Sequence, residues 1–381
     1  MKIHGDAEDG FGRVVDVFAG NLASGRDVGA GVTLYAGGRK VVDVWGGVAD
    51  VRSGRPWTAD TPAVVFSCSK GILAILAYLL VQRGRLELDA PVARYWPEFA
   101  GNGKGDIRVR WLLSHRAGLP AVDRDLTLDE VLAWEPVIEA LEAQAPLWQP
   151  GTAHCYHGMT YGWLVGEVIR RITGKMPGRF LADEVAAPLG LRTWIGLPAS
   201  EYGSVAWLLP PPAEDPEEQV HPVIDRAFTM SGAFGFPVAD GEVSFNAPAI
   251  QAAEIPGAGG VSTAGGLARL YAGCVSAIAG PPLLTRASID DAVTVQSSGP
   301  ELFERVDNGA RWGTGFMIDS PPWRPLLGPR SFGHDGAGGQ LAFADDEFEV
   351  GFAYVNNRMG GASDDRANGL TAAVRACVER G

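Results

Sequence analysis

Cysteine and long hydrophobic runs are scarce in this chain of 381 residues, and each shortage excludes a class of protein. The cysteines are too few and too widely separated for a disulfide framework or a zinc site. They are Cys68, Cys155, Cys274 and Cys377. The longest apolar run, Gly71–Val81, is too short to span a bilayer. We therefore expect no membrane segment and no structural metal.

Positive charge is also in deficit, with a formal net charge of −13 and a pI near 5.0. An acidic surface repels phosphate backbones, so we expect no nucleic-acid partner. The polar stretch Met1–Asp9 lacks the basic start and apolar core of a secretory signal. These features predict a soluble cytoplasmic protein with reduced thiols, and they leave its oligomeric state open.

Several common catalytic and cofactor motifs are missing. Gly260–Ala264 departs at its last position from the Gly-x-Ser-x-Gly elbow of α/β-hydrolases, and no phosphate loop or dinucleotide fingerprint occurs. His154 and His157 lack a third ligand at metal spacing. Ser114 and His115 are adjacent in the chain, and adjacent residues rarely face each other as a nucleophile and its base must. We therefore expect no metal and no organic cofactor, and we interpret that adjacent pair as part of a structural loop.

Residue periodicity predicts strands near both termini and helices between them. Apolar residues at helical spacing from Phe11 to Leu22 predict an opening helix, and Gly37-Gly38 separates two β-rich runs as in a hairpin. The other predicted helices are about 67–83, 126–143, 161–173, 263–277 and 363–380, and the predicted strands are 32–35, 40–45, 315–318, 340–344 and 349–356.

This order of elements predicts an α/β (α+β) fold with an antiparallel sheet flanked by helices. Both termini, residues 1–65 and 300–381, are expected to form the sheet domain. Residues 66–299 are expected to form an inserted, mainly helical domain. Because clefts between such parts often bind ligands, we expect the active site between the two domains.

Ser67 and Lys70 open the apolar helix at 67–83 and lie three residues apart, so they face the same side of it. A serine hydroxyl becomes a nucleophile when a neighbour takes its proton, and burial lowers the pKa of a lysine toward that role. The apolar residues Ile72–Leu76 provide such burial. Arginine, which outnumbers lysine here, does not deprotonate in proteins. If Ser67 were only a helix N-cap and Lys70 a surface residue, the spacing would be the same. A catalytic interpretation of the pair therefore needs further residues to support it.

Tyr156 lies in the loop Pro150–Gly158, ahead of the helix predicted at 161–173. A lysine ammonium beside it would make the phenol ionise more easily. The phenol could then take the serine proton and pass it to a leaving alcohol. A tyrosine that only packs and bonds the backbone is the alternative interpretation.

The glycine-rich segment Ser331–Gln340 lies just before or on a C-terminal strand. Small residues such as Gly336 let a substrate approach the backbone closely. The N–H groups of Ala337 and Ser67 are the predicted oxyanion hole, and a turn without chemistry is the alternative. Two aromatic residues, Trp148 and Trp312, are candidates for lining the cleft.

Ser67-x-x-Lys70, the loop tyrosine Tyr156 and a His-x-Gly segment beginning at His334 together resemble the serine β-lactamase and penicillin-binding protein family. The chain looks most like the class C β-lactamase-like esterases of that family, the family VIII carboxylesterases. The resemblance runs from about residue 10 to 375 and includes Leu112–Pro120, Pro150–Thr152, Tyr161–Leu164 and Ala253–Pro256. It implies the β-lactamase/transpeptidase fold.

The resemblance implies that Ser67 is the acylated residue, Lys70 its base or electrostatic partner, and Tyr156 a second base. His334 stands where β-lactamases carry a lysine that holds a substrate carboxylate, and histidine is mostly neutral at pH 7. Gly158 stands where they carry an asparagine. Both departures argue against strong β-lactamase or peptidase activity and fit neutral substrates.

We therefore predict a serine hydrolase that cleaves small-molecule carboxylic esters through an acyl-enzyme on Ser67. His334, Gly336 and Ala337 are its predicted substrate or oxyanion contacts. One alternative is a β-lactamase, D-amino-acid peptidase or acyltransferase that uses the same residues. The other is a non-catalytic binding or sensor protein with the same fold.

Overall fold

An antiparallel sheet of ten strands is the centre of the structure, a computed structural model that describes residues 2–212, 220–235, 243–303, 307–361 and 364–380. The strands are β1 (Ile3–Ala7), β2 (Gly29–Ala36), β3 (Arg39–Asp50), β4 (Arg55–Pro56), β5 (Ala63–Phe66), β6 (Thr193–Trp194), β7 (Gly260–Ser262), β8 (Ser297–Ser298), β9 (Arg311–Trp312), β10 (Met317–Ile318), β11 (Ser331–Asp335), β12 (Leu341–Asp345) and β13 (Val350–Asn356). The large sheet has the order β1-β3-β2-β13-β12-β11-β10-β9-β8, with β4 paired to β3. Strands β5, β7 and β6 form a separate small sheet.

The hairpin between β2 and β3 follows from two glycines. Gly37 and Gly38 have φ angles of 54° and 74°, as a two-residue turn of type I′ requires. Strand β2 then pairs with β13, from Ala36 opposite Val350 to Ala30 opposite Asn356. The two ends of the chain therefore share one sheet, and the predicted fold class, an antiparallel sheet flanked by helices, is confirmed.

Thirteen α-helices occur in the described part of the chain. They are α1 (Gly12–Ala23), α2 (Cys68–Gln82), α3 (Val109–Leu113), α4 (Leu128–Leu132), α5 (Glu135–Ala143), α6 (Thr160–Thr173), α7 (Pro177–Leu181), α8 (Ala187–Leu189), α9 (Pro222–Thr229), α10 (Pro248–Ala252), α11 (Ala264–Val275), α12 (Arg286–Ala292) and α13 (Arg366–Val378). Within the described ranges, no helix combines the length and apolar character that crossing a bilayer requires.

The large sheet separates two hydrophobic cores because side chains alternate between its faces. Phe343 and Phe352 belong to the core shared with α1 and α13. Ala342 and Ala353 belong to the larger core shared with α2 and α11. A Cβ at Gly351 would lie 2.2 Å from the backbone nitrogen of Ala272 in α11, so the glycine permits that close approach.

Three predictions need comment. The helical pattern predicted near 126–143 forms two helices, α4 and α5, because the chain changes direction at Trp134, whose φ is 67°. The indole of Trp134 donates to the buried carboxylate of Glu167, a contact distant in sequence. The division into 1–65 with 300–381 and 66–299 stays a prediction. Within 66–299, α11 packs on the large sheet and β8 joins it. The predicted start of the last helix, Ser363, lies outside the described residues.

Candidate active site

Ser67 lies at a sharp turn between β5 and α2. Phe66, the last residue of β5, has a φ of 43°, a conformation that bulky residues rarely adopt. The hydroxyl of Ser69 donates to the carbonyl of Phe66 and accepts the N–H of Gly260, at 2.9 Å, from β7. These bonds hold the turn and place the half-buried Ser67 directly before α2, at its N-cap position.

Lys70 lies one turn along α2 and is completely buried. Its Nζ is 3.0 Å from Ser67 Oγ and donates a second hydrogen bond to the carbonyl of Gly257, at 2.7 Å. Burial lowers the pKa of Lys70 to about 7, and the negative potential of Asp335 and Cys68 opposes that effect only in part. A large fraction of this amine is therefore unprotonated at neutral pH.

Tyr156 completes a cluster with Ser67 and Lys70. Tyr156 and Ser67 line the same cavity, and the Lys70 Nζ lies 4.8 Å from the centroid of the Tyr156 ring. Burial raises the pKa of Tyr156 well above its ordinary value, and the neighbouring Ser67 hydroxyl opposes this only in part. The expectation that a lysine ammonium makes this phenol easier to ionise is not met, because burial is the largest influence on the Tyr156 pKa and raises it.

Glu301 holds Tyr156 in place, and no sequence motif singled it out. One oxygen of its carboxylate accepts the backbone N–H of Tyr156 at 2.7 Å, and the other accepts the indole N–H of Trp312 at 3.4 Å. The rings of Tyr156 and Trp312 stack with centroids 5.1 Å apart. His115 packs against both rings, with centroids 4.7 Å from each, which agrees with its interpretation as structural. These contacts join chain segments more than a hundred residues apart.

Ala337 and Gly336 form the turn between β11 and β12, beside Ser67. Both residues line the same cavity as Ser67. The N–H of Gly336 donates to the carbonyl of Gln340 at 2.8 Å and is therefore occupied. Among the described residues, the N–H of Ala337 has no hydrogen-bond partner. A Cβ at Gly336 would lie 2.6 Å from the carbonyl oxygen of Val65, so this turn approaches β5 closely.

Two other predicted residues lie away from the cavity wall. His334 is buried, its Nδ1 lies 2.7 Å from the carbonyl oxygen of Asp335, and its ring packs beside Trp312 with centroids 5.4 Å apart. Trp148 packs against His157 and donates its indole N–H to the carbonyl of Ala153. Neither His334 nor Trp148 belongs to the residues that line the cavity. Burial lowers the pKa of His334, so its imidazole is neutral at pH 7.

The cavity at Ser67 has a volume of about 180 Å³. Aromatic rings form much of its wall, so it is called the aromatic cavity below. Its lining residues are Ser67, Tyr156, Phe228, Glu301, Asn308, Trp312, Trp323, Asp335, Gly336 and Ala337. Within the described ranges, no group of three or more histidine, cysteine, aspartate or glutamate side chains is arranged to hold a metal ion.

This chain is similar in sequence and in structure to known proteins. A profile of the family described as Beta-lactamase matches residues 14–376. The Mycobacterium tuberculosis protein named Esterase/beta-lactamase LipL is 34% identical over 369 residues, which cover 94% of this chain and 83% of that protein. Among solved structures, a penicillin-binding protein homologue from Caulobacter crescentus is 36% identical with a TM-score of 0.90, covering 99% of this chain and 100% of that chain. A family VIII carboxylesterase is 34% identical with a TM-score of 0.88, again covering 99% of this chain and 100% of that chain.

Proposed function

The chain belongs to the β-lactamase family, and from that premise we propose that it is a serine hydrolase that cleaves carboxylic esters through an acyl-enzyme on Ser67. The observation that carries the proposal is that Ser67 and Tyr156 line the aromatic cavity while the buried amine of Lys70 lies 3.0 Å from Ser67 Oγ. Nucleophile, base and acid are the parts that acyl transfer requires.

In the proposed first step, Ser67 Oγ attacks the ester carbonyl carbon while its proton passes to the neutral amine of Lys70, 3.0 Å away. The carbonyl π electrons move to its oxygen. The N–H groups of Ser67 and Ala337 stabilise this oxyanion. The unpaired N–H of Ala337 and its place beside Ser67 in the cavity support that assignment.

In the proposed second step, the oxyanion collapses and the bond from carbon to the alcohol oxygen breaks. The protonated phenol of Tyr156 gives its proton to that oxygen, and the ammonium of Lys70 returns a proton to the phenolate. Its raised pKa keeps the phenol of Tyr156 protonated at neutral pH, as a proton donor must be. Water then attacks the acyl-enzyme with the same groups acting in reverse, and the carboxylic acid leaves.

The charge around the cavity supports ester substrates over β-lactams or peptides that carry a carboxylate. Asp335 lines the cavity, whereas the imidazole of His334 is buried and neutral. An anionic group entering there would find no cation on β11, and Arg324 is already paired with the carboxylate of Asp335 at 3.2 Å. Two relatives named for ester hydrolysis alone, Esterase EstB and the family VIII carboxylesterase, fit this choice.

We also propose a cytoplasmic location and a small soluble ester as substrate. The small number and wide separation of the cysteines, of which Cys68, Cys155 and Cys274 are buried, support a reducing compartment. The site is proposed to lie between the sheet domain, 1–65 with 300–381, and the helical domain, 66–299. Wall residues from both parts, such as Trp312 and Phe228, support this.

The direct test is turnover of 4-nitrophenyl acetate by the wild type and by Ser67→Ala. We expect a loss on the order of 10⁴-fold or more in kcat, because the nucleophile is removed. Ser24→Ala is the matched control, since that hydroxyl bonds only a nearby carbonyl of its own helix end. Intact-mass detection of an acetyl group on the wild type, absent from Ser67→Ala, checks the intermediate.

Equal turnover by Ser67→Ala and the wild type would refute the mechanism. A parallel assay with a chromogenic cephalosporin decides between ester and β-lactam hydrolysis, and we expect the aryl ester to have the higher kcat/KM. Failure of a fluorophosphonate probe to label the wild type would favour the binding-protein interpretation instead.

A further inference from the structure

A second, smaller pocket opens beside Ser67 and is distinct in its chemistry from the aromatic cavity. It has a volume of about 30 Å³, and its walls include Phe66, Met159, Phe245, Ala258 and Met359. No lining residue in the described ranges carries a charge. It is called the apolar pocket below. An uncharged hydrocarbon group is the occupant that such walls favour, because a charged group would be desolvated without a partner.

The two spaces share Ser67, Phe228 and Ala337 and differ in all their other lining residues. Tyr156 lines the aromatic cavity and does not line the apolar pocket. The leaving alcohol must lie within reach of the group that protonates its oxygen, which is Tyr156 in the proposed mechanism. The alcohol half of the ester therefore belongs on the side of the aromatic cavity.

On the premise of the proposed function, we infer that an ester binds divided between the two spaces. Its acyl chain enters the apolar pocket, and its alcohol enters the aromatic cavity. Phe245 and Met359 are then the residues that limit the length of the acyl chain that the enzyme accepts. In this assignment, the acyl half is an uncharged hydrocarbon chain, and the alcohol half packs against aromatic rings.

The volumes set the expected sizes of the two groups. A cavity needs about 10–15 Å³ of volume to hold one water molecule. The apolar pocket, with about 30 Å³, therefore holds roughly two or three heavy atoms beyond the carbonyl carbon. The aromatic cavity, with about 180 Å³, is six times larger. The substrates that fit are esters of neutral acyl groups of up to about four carbons with a larger, ring-containing alcohol that packs against Trp312 and Trp323.

The wall that limits the acyl chain is held on several sides. Phe245 is buried and packs edge-on against Phe66, with ring centroids 5.3 Å apart, and stacks on Phe234 at 5.7 Å. Met359 is buried, and its N–H donates to the carbonyl of Leu209 at 3.0 Å. Neither side chain can leave the pocket without disturbing packed neighbours, so each acts as a fixed stop.

The test measures kcat/KM for 4-nitrophenyl acetate, butanoate, hexanoate and octanoate. For the wild type, we expect kcat/KM for the hexanoate ester to be about tenfold or more below that for the butanoate ester, because one or two methylenes do not fit the pocket. Phe245→Ala and Met359→Ala should each raise the ratio of hexanoate to acetate about tenfold. The filling variant Ala258→Val should lower the ratio of butanoate to acetate, which keeps the test decisive if a truncated variant fails to fold.

Phe348→Ala is the matched control. Phe348 lies between β12 and β13, beyond the end of β12 that is far from Asp335, because Asp335 pairs with Leu341 at the start of that strand. It should keep the acyl-length ratios of the wild type. Trp323→Ala, tested with acetates of ethanol, phenol and naphthol, should change the preference for the alcohol and leave the acyl-length ratios unchanged.

Acyl-length ratios that respond to Trp323→Ala and not to Phe245→Ala or Met359→Ala would overturn the assignment. That outcome is distinct from failure of the proposed function. In the latter case no ester would be turned over in a Ser67-dependent manner, and no ratio could be measured for the wild type.

Discussion

At the scale of single residues, burial shifts the pKa values of Lys70 and Tyr156 in opposite directions, and the two shifts indicate different roles. Burial lowers the pKa of Lys70 to about 7 and raises that of Tyr156 well above its ordinary value. Desolvation disfavours the ammonium and the phenolate alike. Near neutral pH, the amine is therefore suited to accept the proton of Ser67 and the phenol is suited to donate one.

The pH dependence of kcat/KM tests this assignment. Activity should rise with pH through about 7, because Lys70 must lose its proton before it can act as a base. The carboxylate of Asp335 raises the Lys70 pKa, so Asp335→Asn should move this rise to lower pH. The guanidinium of Arg324 lies 3.2 Å from that carboxylate. In Asp335→Asn its positive charge would have lost its partner, and it would also lower the Lys70 pKa.

Asp6→Asn, on the exposed strand β1, is the control and should leave the profile unchanged. Kinetic titration from about pH 5 to 9 covers the expected range around a pKa near 7. A shift of the Asp335→Asn profile to higher pH, or a wild-type rise that persists in Lys70→Arg, would contradict the assignment, since arginine does not deprotonate.

At the scale of elements, helix α6 sets the position of Lys70 through a contact that only glycine permits. A Cβ at Gly162 of α6 would lie 2.2 Å from the backbone nitrogen of Gly257. The carbonyl of Gly257 accepts the hydrogen bond from Lys70 Nζ. Any displacement of this turn therefore moves an anchor of the proposed base.

Gly162→Ala should lower kcat by about 10- to 100-fold with a smaller change in KM, because a displacement of about 1 Å at a catalytic group has effects of this size. Alanine favours a helix over glycine by about 0.5–1 kcal/mol, so loss of helix propensity would not explain such a result. Steady-state kinetics on an aryl acetate provide the measurement.

Gly20→Ala in α1 is the matched control, since a Cβ there meets no atom within 4 Å. It should keep full activity and gain up to about 1 kcal/mol in the free energy of unfolding. Full activity of Gly162→Ala would show that the Gly257 turn does not control Lys70.

At the scale of the whole molecule, a buried ion pair joins the two ends of the chain. The side chains of Arg366, in α13, and Asp27, before β2, are 2% and 0% exposed and lie 2.7 Å apart. Arg366 also bonds Asp364 at 2.8 Å and the carbonyl of Gly338 at 3.1 Å. Gly338 follows Ala337, so the same guanidinium supports the turn that carries the proposed oxyanion N–H.

Arg366→Ala should lower the free energy of unfolding by about 3–5 kcal/mol, because it leaves the carboxylate of Asp27 buried without its cation. Denaturant titration followed by tryptophan fluorescence measures the change. Arg39→Ala, which removes an exposed pair with Glu8, is the control and should cost at most about 1 kcal/mol. Equal effects of both variants would mean that the buried pair contributes no more than a surface pair.

Local sequence patterns predicted those helices, strands and turns whose conformation is set by residues within the same segment. The Gly37-Gly38 turn, the apolar helix α2 and strand β13 all lie close to their predicted ranges, because turn chemistry and hydrophobic periodicity act over a few residues. Strands β1 and β5 and the break at Trp134 were not predicted. Strand β1 is polar and owes its conformation to pairing with β3, and Trp134 is held by Glu167.

The sequence by itself determined the family, the fold class and the candidate groups Ser67, Lys70 and Tyr156, because their chemistry and spacing are written in short segments. Only the tertiary structure decided that Glu301 holds the tyrosine, that His334 is buried and does not line the cavity, and that an apolar pocket adjoins the serine. Distances between remote segments and the desolvation of each group arise when the whole chain packs. No local pattern of residues encodes them.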